Sequence, residues 1–390
     1  MKAAEPAKPS LPPPAGGGVD LLIIAGEHSG DEHAARMVRE LRAKRPELRI
    51  AALGGPELAA AGAQLLHDMT ATSVVGFVEV LKHLAFFRAL FAETLRWIDA
   101  YRPRAVCLVD YPGFNLRLAA ALRERGLSAK GGGATKVLFY ISPQIWAWKA
   151  GRRFAMARDL DAMAVIFPFE AKCYADTALP VEFVGHPFVA DDYVSPVRYD
   201  AAGPVLLLPG SRKQAVARIF PALLRGFEEF GEREAVVLYP SGEIRGVLEA
   251  EMARRPRGGP RVMLARTGEP VAAAAVLTSS GTMSMHCALA AIPGAIAYRA
   301  NPLTYFFAKR LVKVPFIGIA NLLLGEAMYP EFIQGAATAA ALAGELRACV
   351  HDPARGERTA VQARRLRELL GRPVRDARGG SAAEWLARFL

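Results

Sequence analysis

The chain has 390 residues, more than one ordinary core accommodates, so two domains are expected. Apolar residues make up 52% and charged residues 22%, the balance of a folded globular protein, and no apolar run reaches the ~18 residues of a membrane span. The formal net charge of +11 suits nucleic acid, an anionic membrane surface or phosphorylated substrates, and does not choose among them.

The first eighteen residues, "MKAAEPAKPSLPPPAGGG", are rich in Pro, Gly and Ala and lack apolar periodicity. They read as a disordered tail over 1–18, with no secretory apolar segment. From Val19 the pattern is strand, turn, helix, repeated. "VDLLIIAG" is a buried strand, "DEHAARMVRELRAK" an amphipathic helix and "LRIAALGG" a second strand. "ALFAETLRWIDAY" and "NLRLAAALRERG" read as helices, and "RAVCLVD", "TKVLFYIS", "DAMAVIFP" and "VEFVGHP" as strands. The "SAKGGGA" stretch between Ser128 and Ala134 reads as a flexible surface loop. The alternation predicts a parallel sheet covered on both faces over 19–187.

The pattern breaks over 188–203, which reads as a linker. A second alternation spans 204–340. "PVLLLPG", "EAVVLYPSG", "RVMLART", "AAAAVLTSSG" and "GAIAYR" supply strands, and "KQAVARIFPALLRGFEEF" and "TMSMHCALAAI" supply helices. Residues 341–390 read as C-terminal helices. The fold class is therefore α/β, with two Rossmann-like halves. Ligands of such sheets bind at the carboxyl ends of strands, so two facing halves form a cleft suited to two substrates.

Four strand-to-helix turns carry candidate chemistry. In "AGEHSGD", Gly26 and Gly30 permit tight turning, and Ser29 or Asp31 can cap the next helix. The residues alone leave a capped turn and a ligand loop equally open, and the pattern is not GxGxxG. In "CLVDYPGFN", Asp110 closes a strand where a carboxylate can act as general base, and Asn115 starts a helix. A helix cap or an arginine partner is its alternative role. In "LLLPGSRKQAV", Gly210, Ser211 and Arg212 converge on a helix start, a combination suited to a diphosphate. In "LTSSGTMSMHCALA", Ser280, Gly281 and Thr282 offer hydroxyls and main-chain N–H groups, to a phosphate or as a helix cap.

Val78, Val80, Leu81, Leu84 and Phe87 lie in a helical stretch that also holds Lys82, His83 and Arg88. Such a helix can rest in a membrane interface or line a core. "LTYFFAKRLVK" (303–313) joins aromatics to basic residues in the same way. The cysteines Cys107, Cys173, Cys287 and Cys349 are far apart, without ligand spacing, and read as reduced thiols of a cytoplasmic protein.

In order along the chain, "AGEHSGD", "VVGFVEVL", "VDYPGFN", "ISPQIWAW", "FPFE", "FVGHP", "LLPGSR", "SSGT", "FFAKRLVK", "ANLLLGE" and "PEFIQ" together resemble the lipid-A-disaccharide synthase family, from about Ile23 to Gln334. The resemblance implies the GT-B architecture and an inverting glycosyltransferase. UDP-2,3-diacylglucosamine would donate its sugar to the 6-hydroxyl of 2,3-diacylglucosamine 1-phosphate, giving a β(1→6) disaccharide and UDP. It implies Asp110 as the base, with Arg212 stabilising the departing diphosphate. Gly210, Ser211, Ser280, Gly281, Thr282 and His286 would lie at the nucleotide. Glu27, Ser29, Gly30, Asn115, Asn321 and Gln334 would position substrate. No cofactor and no metal are implied, since no DxD motif is evident. Its partners would be the two acylated sugars and the anionic inner-membrane surface, with no nucleic acid. A homodimer is compatible with it. The protein would be cytoplasmic and peripheral on the inner membrane, through Val78, Val80, Leu81, Leu84 and Phe87.

Two departures stand out. His286 occupies the slot where the family usually has a glutamate, so one imidazole acceptor replaces a carboxylate that could hold both ribose hydroxyls. Ala320 stands where the family has a proline. The nearest alternative is another GT-B enzyme acting on UDP-GlcNAc-type donors, a MurG-like transferase or a UDP-GlcNAc 2-epimerase. A non-catalytic membrane or nucleic-acid binder is the alternative from another class.

Overall fold

The computed structural model describes residues 9–72, 77–255, 258–301, 314–371 and 380–390; the side chains of 72–84 lie outside that description. Two compact units emerge, one of Met1–Pro187 with Arg372–Leu390, the other of Phe188–Gly371. Each is built on its own parallel sheet.

The first unit's strands are β1 (Leu21–Ala25), β2 (Ile50–Gly54), β3 (Gln64–Asp68), β4 (Ala105–Val109), β5 (Lys136–Tyr140), β6 (Ala162–Val165) and β7 (Val181–Phe183). They pair in the order β3-β2-β1-β4-β5-β6-β7, all parallel. Its helices are α1 (His28–Lys44), α2 (Pro56–Ala60), α3 (Phe77–Tyr101), α4 (Pro112–Glu124) and α5 (Arg152–Asp159). Strand side chains alternate between faces, and the core divides accordingly. Leu21, Ile23 and Ala25 pack with Ala34, Val38 and Leu41 of α1. Leu22 and Ile24 pack with Leu90, Leu95 and Ile98 of α3 and Leu118 and Leu122 of α4. Both faces being covered, β1 is apolar at every position rather than alternating.

The second unit repeats the plan. Its main sheet runs β11-β10-β9-β13-β14-β15, with β9 (Val205–Leu208), β10 (Ala235–Tyr239), β11 (Val262–Arg266), β13 (Ala275–Thr278), β14 (Gly294–Tyr298) and β15 (Glu331–Ile333). Its helices are α6 (Lys213–Phe230), α7 (Gly242–Met252), α8 (Thr282–Leu289), α9 (Ile319–Leu324), α10 (Ala339–His351) and α11 (Pro353–Leu370). Val216, Phe220, Leu223 and Phe227 of α6 pack on Leu342 and Leu346 of α10 and on the sheet. Gly226 allows that approach, because a Cβ there would lie 2.5 Å from Leu342. A last helix, α12 (Ala382–Ala387), returns to the first unit.

The structure departs from the sequence reading in four places. Residues 9–18 are not a loose tail: Leu11 is buried, Trp97 Nε1 donates to Pro12 O at 2.8 Å, and Ala15 N donates to Gln64 at 2.7 Å. A buried leucine and side-chain partners for the main chain fix a segment that lacks periodicity of its own. The Ser128–Ala134 stretch is a packed turn. Ser128 is fully buried, and a Cβ on Gly131 or Gly133 would strike Arg123 O or Leu127 O at 2.2 and 2.3 Å. Residues 188–203 belong to the second unit, where β8 (Val197–Tyr199) pairs in parallel with β12 (Val271–Ala273). Finally, α12 packs Ala383, Trp385 and Leu386 on the α1 face of the first sheet, with a full capping box at Ser381 and Lys44–Glu384 at 2.6 Å.

Candidate active site

In parallel sheets the carboxyl ends of the strands lie along one edge, and both candidate loop sets sit there. In the first unit, β1 ends in Gly26 and Glu27, and β4 in Asp110. Asp110 (φ 45), Tyr111 (φ 49) and Ile141 (φ 69, after β5) all adopt left-handed backbone. Non-glycine residues rarely do so, and such strain of ~1 kcal/mol or more each concentrates at functional sites. The conformation is held from both sides. Asp110 N donates to Tyr140 O at 2.9 Å, and Asn115 Nδ2 donates to Asp110 O at 2.7 Å and to Val109 O and Ile24 O at 3.3 and 3.4 Å. Asn115 is wholly buried. It therefore acts on the main chain at the ends of β1 and β4, and through it on Asp110.

Burial pushes the Asp110 carboxyl up to about 6; the nearby Glu27 carboxylate adds to the rise, and the Tyr111 N–H opposes it. Such a group is ionised and still basic near neutral pH. Gly26 is required by the same corner: a Cβ there would lie 2.3 Å from the Tyr111 ring.

The opening loop divides its labour in an unexpected way. Helix α1 starts at His28, with Glu27 as its N-cap residue and no side-chain cap. Glu27, His28 and Ser29 are exposed, whereas Gly30 and Asp31 are buried. Asp31 caps a different helix: its carboxylate accepts from Gly55 N (2.8 Å), Glu57 N (3.0 Å) and Leu58 N (3.3 Å) at the start of α2. Neither Ser29 nor Asp31 caps α1.

Glu170 was not singled out from the sequence. It follows β6, is 2% exposed, and accepts from Phe167 N at 3.1 Å. Burial pushes its carboxyl up to about 8, with Phe167 N–H and Trp146 opposing and Asp110 adding to the rise. Trp146 meets Phe169 edge-on, Phe167 stacks on Phe169, and His186 leans on Phe167, so three sequence motifs form one aromatic shell here. The signal was available in "FPFE", a carboxylate set among aromatics.

In the second unit, β9 runs into Gly210 (φ 106), then exposed Ser211 and Arg212, then α6. β13 runs into exposed Ser280, Gly281 and Thr282, then α8. The two loops touch: a Cβ on Gly210 would lie 3.1 Å from Ser279 Oγ, and Ser279 N donates to Leu208 O. Neither helix has a side-chain cap or an acidic residue in its first turn. Their leading N–H groups and Arg212 thus favour an anion, and two adjacent helix starts suit a diphosphate.

His286, one turn into α8, is buried. Its ring stacks on Phe188 (4.0 Å between centroids) and Tyr193 (5.7 Å), and its Nε2 lies 3.4 Å from Tyr193 Oη. Burial drives its pKa down to about 4, so it is neutral. Asn321 is also buried, closed by Tyr329 N and O and by Glu331 at 2.7–2.9 Å. It shapes the β15 approach. Gln334, at the carboxyl end of β15, clasps Ala300 N and O at 3.2 and 3.3 Å. Of the apolar helix residues, Phe87 is half-buried beside Phe86, while the side chains of Val78, Val80, Leu81 and Leu84 and the whole of 303–313 lie outside the described residues. Among the described residues, no three His, Cys, Asp or Glu side chains gather as a metal site, and no helix is long and apolar enough to cross a membrane.

Solved structures share this fold. The glycotransferase of kitacinnamycin superposes with a TM-score of 0.57 at 16% identity, covering 95% of this chain and 99% of that one. UDP-GlcNAc 2-epimerase from Neisseria meningitidis, bound to UDP-GlcNAc, gives 0.58 at 8% identity, covering 90% and 99%. At such identities the likeness establishes the GT-B fold alone. Sequence relatives reach further. Lipid-A-disaccharide synthase of Geobacter metallireducens is 37% identical over 366 residues, 90% of this chain and 93% of that protein. Lipid-A-disaccharide synthase 1 of Legionella pneumophila (strain Lens) is 35% identical over 372 residues, 91% and 94% of the two chains. The lipid-A-disaccharide synthetase family profile matches residues 21–385. With a strained carboxylate at one strand end, anion-ready loops in the other unit and that match over most of its length, the chain belongs to the lipid-A-disaccharide synthetase family, glycosyltransferases of lipid A biosynthesis.

Proposed function

We propose that the protein transfers the sugar of UDP-2,3-diacylglucosamine to the 6-hydroxyl of 2,3-diacylglucosamine 1-phosphate, with Asp110 as the base. The acceptor oxygen attacks the anomeric carbon as Asp110 takes its proton. The bond from that carbon to the UDP oxygen breaks, the configuration inverts, and the electron pair leaves on the diphosphate. Arg212, Ser211 and the N–H groups at the starts of α6 and α8 stabilise that charge. Burial, with Glu27 adding to it, keeps Asp110 basic, and Glu27, being exposed, positions substrate hydroxyls. Ser29 and Gly30 shape the same loop. His286 offers the ribose at most one acceptor, since burial keeps it a neutral imidazole with a single acceptor nitrogen.

The observation that carries this reading is the Asp110 carboxyl, raised to about 6 in strained backbone at a strand end. We place the enzyme on the cytoplasmic side of the inner membrane, held peripherally through the apolar start of α3. The test measures UDP release from the acylated donor, with and without the acylated acceptor phosphate. Release that needs the acceptor and disappears in Asp110→Asn supports the reading. Consumption of UDP-GlcNAc in preference to the acylated donor, or full activity in Asp110→Asn, sinks it.

A further inference from the structure

The loop after β5 and the first turn of α5 carry two large side chains that the core does not claim. Trp148 is 49% exposed and Phe154 55%, both within one seven-residue stretch leading into α5. Each ring has cations over it. Lys149 Nζ lies 4.3 Å and the Arg152 guanidinium 5.4 Å from the Trp148 ring, and Arg153 lies 4.2 Å from the Phe154 ring. Arg153 is matched by Asp176, at 2.6 Å. Lys149 and Arg152 have no ion-pair partner among the described residues, and no acidic residue occupies the first turn of α5. Lys149 also adopts φ 54, an uncommon conformation for lysine. Each cation is attracted to the ring it lies over, and together they present positive charge and apolar surface to solvent, a combination complementary to an anionic, partly apolar neighbour.

We propose that Trp148–Phe154 is a docking surface for an anionic lipid bilayer, with the two rings at headgroup depth and Lys149 and Arg152 on lipid phosphates. Tryptophan prefers that depth because its ring is apolar and its N–H polar, and cations beside it reach phosphate. Single-stranded nucleic acid also meets basic and aromatic residues, but it binds by stacking on open ring faces, and here cations occupy ring faces. The segment follows β5, the neighbour of β4, so it shares a sheet edge with Asp110. A bilayer docked there would hold acylated substrates near that edge, and in this respect the inference rests on the proposed reaction.

The test uses the full-length protein in flotation with phosphatidylethanolamine–phosphatidylglycerol vesicles, with phosphatidylcholine vesicles, and in titration with a single-stranded RNA. The parent should bind the phosphatidylglycerol vesicles in preference to phosphatidylcholine. Lys149→Gln with Arg152→Gln should weaken that binding about thirtyfold and abolish the preference. Trp148→Ala with Phe154→Ala should weaken it about tenfold or more on either vesicle. Both variants should keep the parent's circular dichroism melting and its UDP release from detergent-dispersed substrates. Variants that float like the parent overturn the proposal, as does RNA binding that the substitutions abolish while vesicle binding persists. A parent that turns over detergent-dispersed substrates but binds no vesicle refutes the docking surface and leaves the reaction standing. A parent that docks through these residues yet releases no UDP refutes the reaction alone.

Discussion

Replacing Asp110 by asparagine should inactivate the enzyme and stabilise its first unit. The aspartate titrates near 3.8 when unfolded and at about 6 in the fold, because burial and Glu27 disfavour its charge. The folded state therefore binds the proton more tightly. Stability is greatest below the unfolded value, falls as pH rises through about 4 to 6, and stays reduced above. The shift corresponds to at most about 3 kcal/mol, and residual solvation of the carboxyl brings the expected gain in Asp110→Asn to about 1–3 kcal/mol at pH 8. At pH 4 most of the gain should be gone, since folded Asp110 is then protonated and neutral like asparagine. Asparagine tolerates the left-handed backbone at φ 45, so no new strain enters. All four tryptophans (Trp97, Trp146, Trp148 and Trp385) lie in the first unit, so urea titrations read by fluorescence follow that unit alone. UDP release should fall by about two to four orders of magnitude. A variant no more stable at pH 8 than at pH 4, relative to the parent, would refute the electrostatic account of this carboxyl.

For the parent enzyme, kcat/KM should fall about tenfold per pH unit below about 6 and level off above it, as Asp110 gains its proton; a profile flat from pH 5 to 7 points to another base. Gly26→Ala should cut kcat sharply, because its Cβ would meet the Tyr111 ring at 2.3 Å and displace the backbone beside Asp110; initial rates at saturating substrate read this. Asp31→Ala removes three N–H bonds at the start of α2 and should cost about 2–4 kcal/mol, read by tryptophan fluorescence in urea. Arg355 is buried, pairs with Glu345 at 3.0 Å and serves the Gly294 and Met328 carbonyls. Arg355→Met strands all three and should lower second-unit stability by about 3–5 kcal/mol, read as earlier melting by circular dichroism.

The regular elements were legible because their physics is local. A strand buried on both faces announces itself as an apolar run, and α6 coincides with the predicted stretch from Lys213 to Phe230. The strand-end loops were legible for the same reason, since a parallel sheet sends its polar turns to one edge. What sequence could not supply was partnership across distance. Asp31 looked like a cap for the helix it sits in, and its partners lie some twenty-five residues on, at α2. Trp97 holds Pro12, which turns a proline-rich tail into packed chain. The glycines at 131 and 133 suggested freedom, and packing uses them for closeness. β3 and β8 escaped notice because polar residues interrupt them, Gln64, His67 and Asp68 in the one and Arg198 in the other, so neither shows an apolar run. Glu170 carried a signal, a carboxylate among the aromatics of "FPFE", but its burial depends on Trp146 and His186 from other segments.

The two units distribute charge in opposite ways, as the proposed reaction requires. The strand ends of the first unit carry Asp110 and Glu170, whose burial, with added repulsion from a neighbouring carboxylate, keeps protons bound more tightly than carboxylates ordinarily hold them. A base must be weak enough to be ionised before the reaction and strong enough to accept a proton during it. In the proposed reaction the burial that makes Asp110 basic also reduces stability, so activity and folding oppose each other at one residue. The candidate loops of the second unit hold no carboxylate: Ser211, Arg212, Ser280 and Thr282 are neutral or cationic, and burial keeps His286 neutral. A carboxylate in the first turn of α6 or α8 would compete with a diphosphate for the same N–H groups. Burial beside Phe188 and Tyr193 keeps His286, one turn into α8, polar but uncharged.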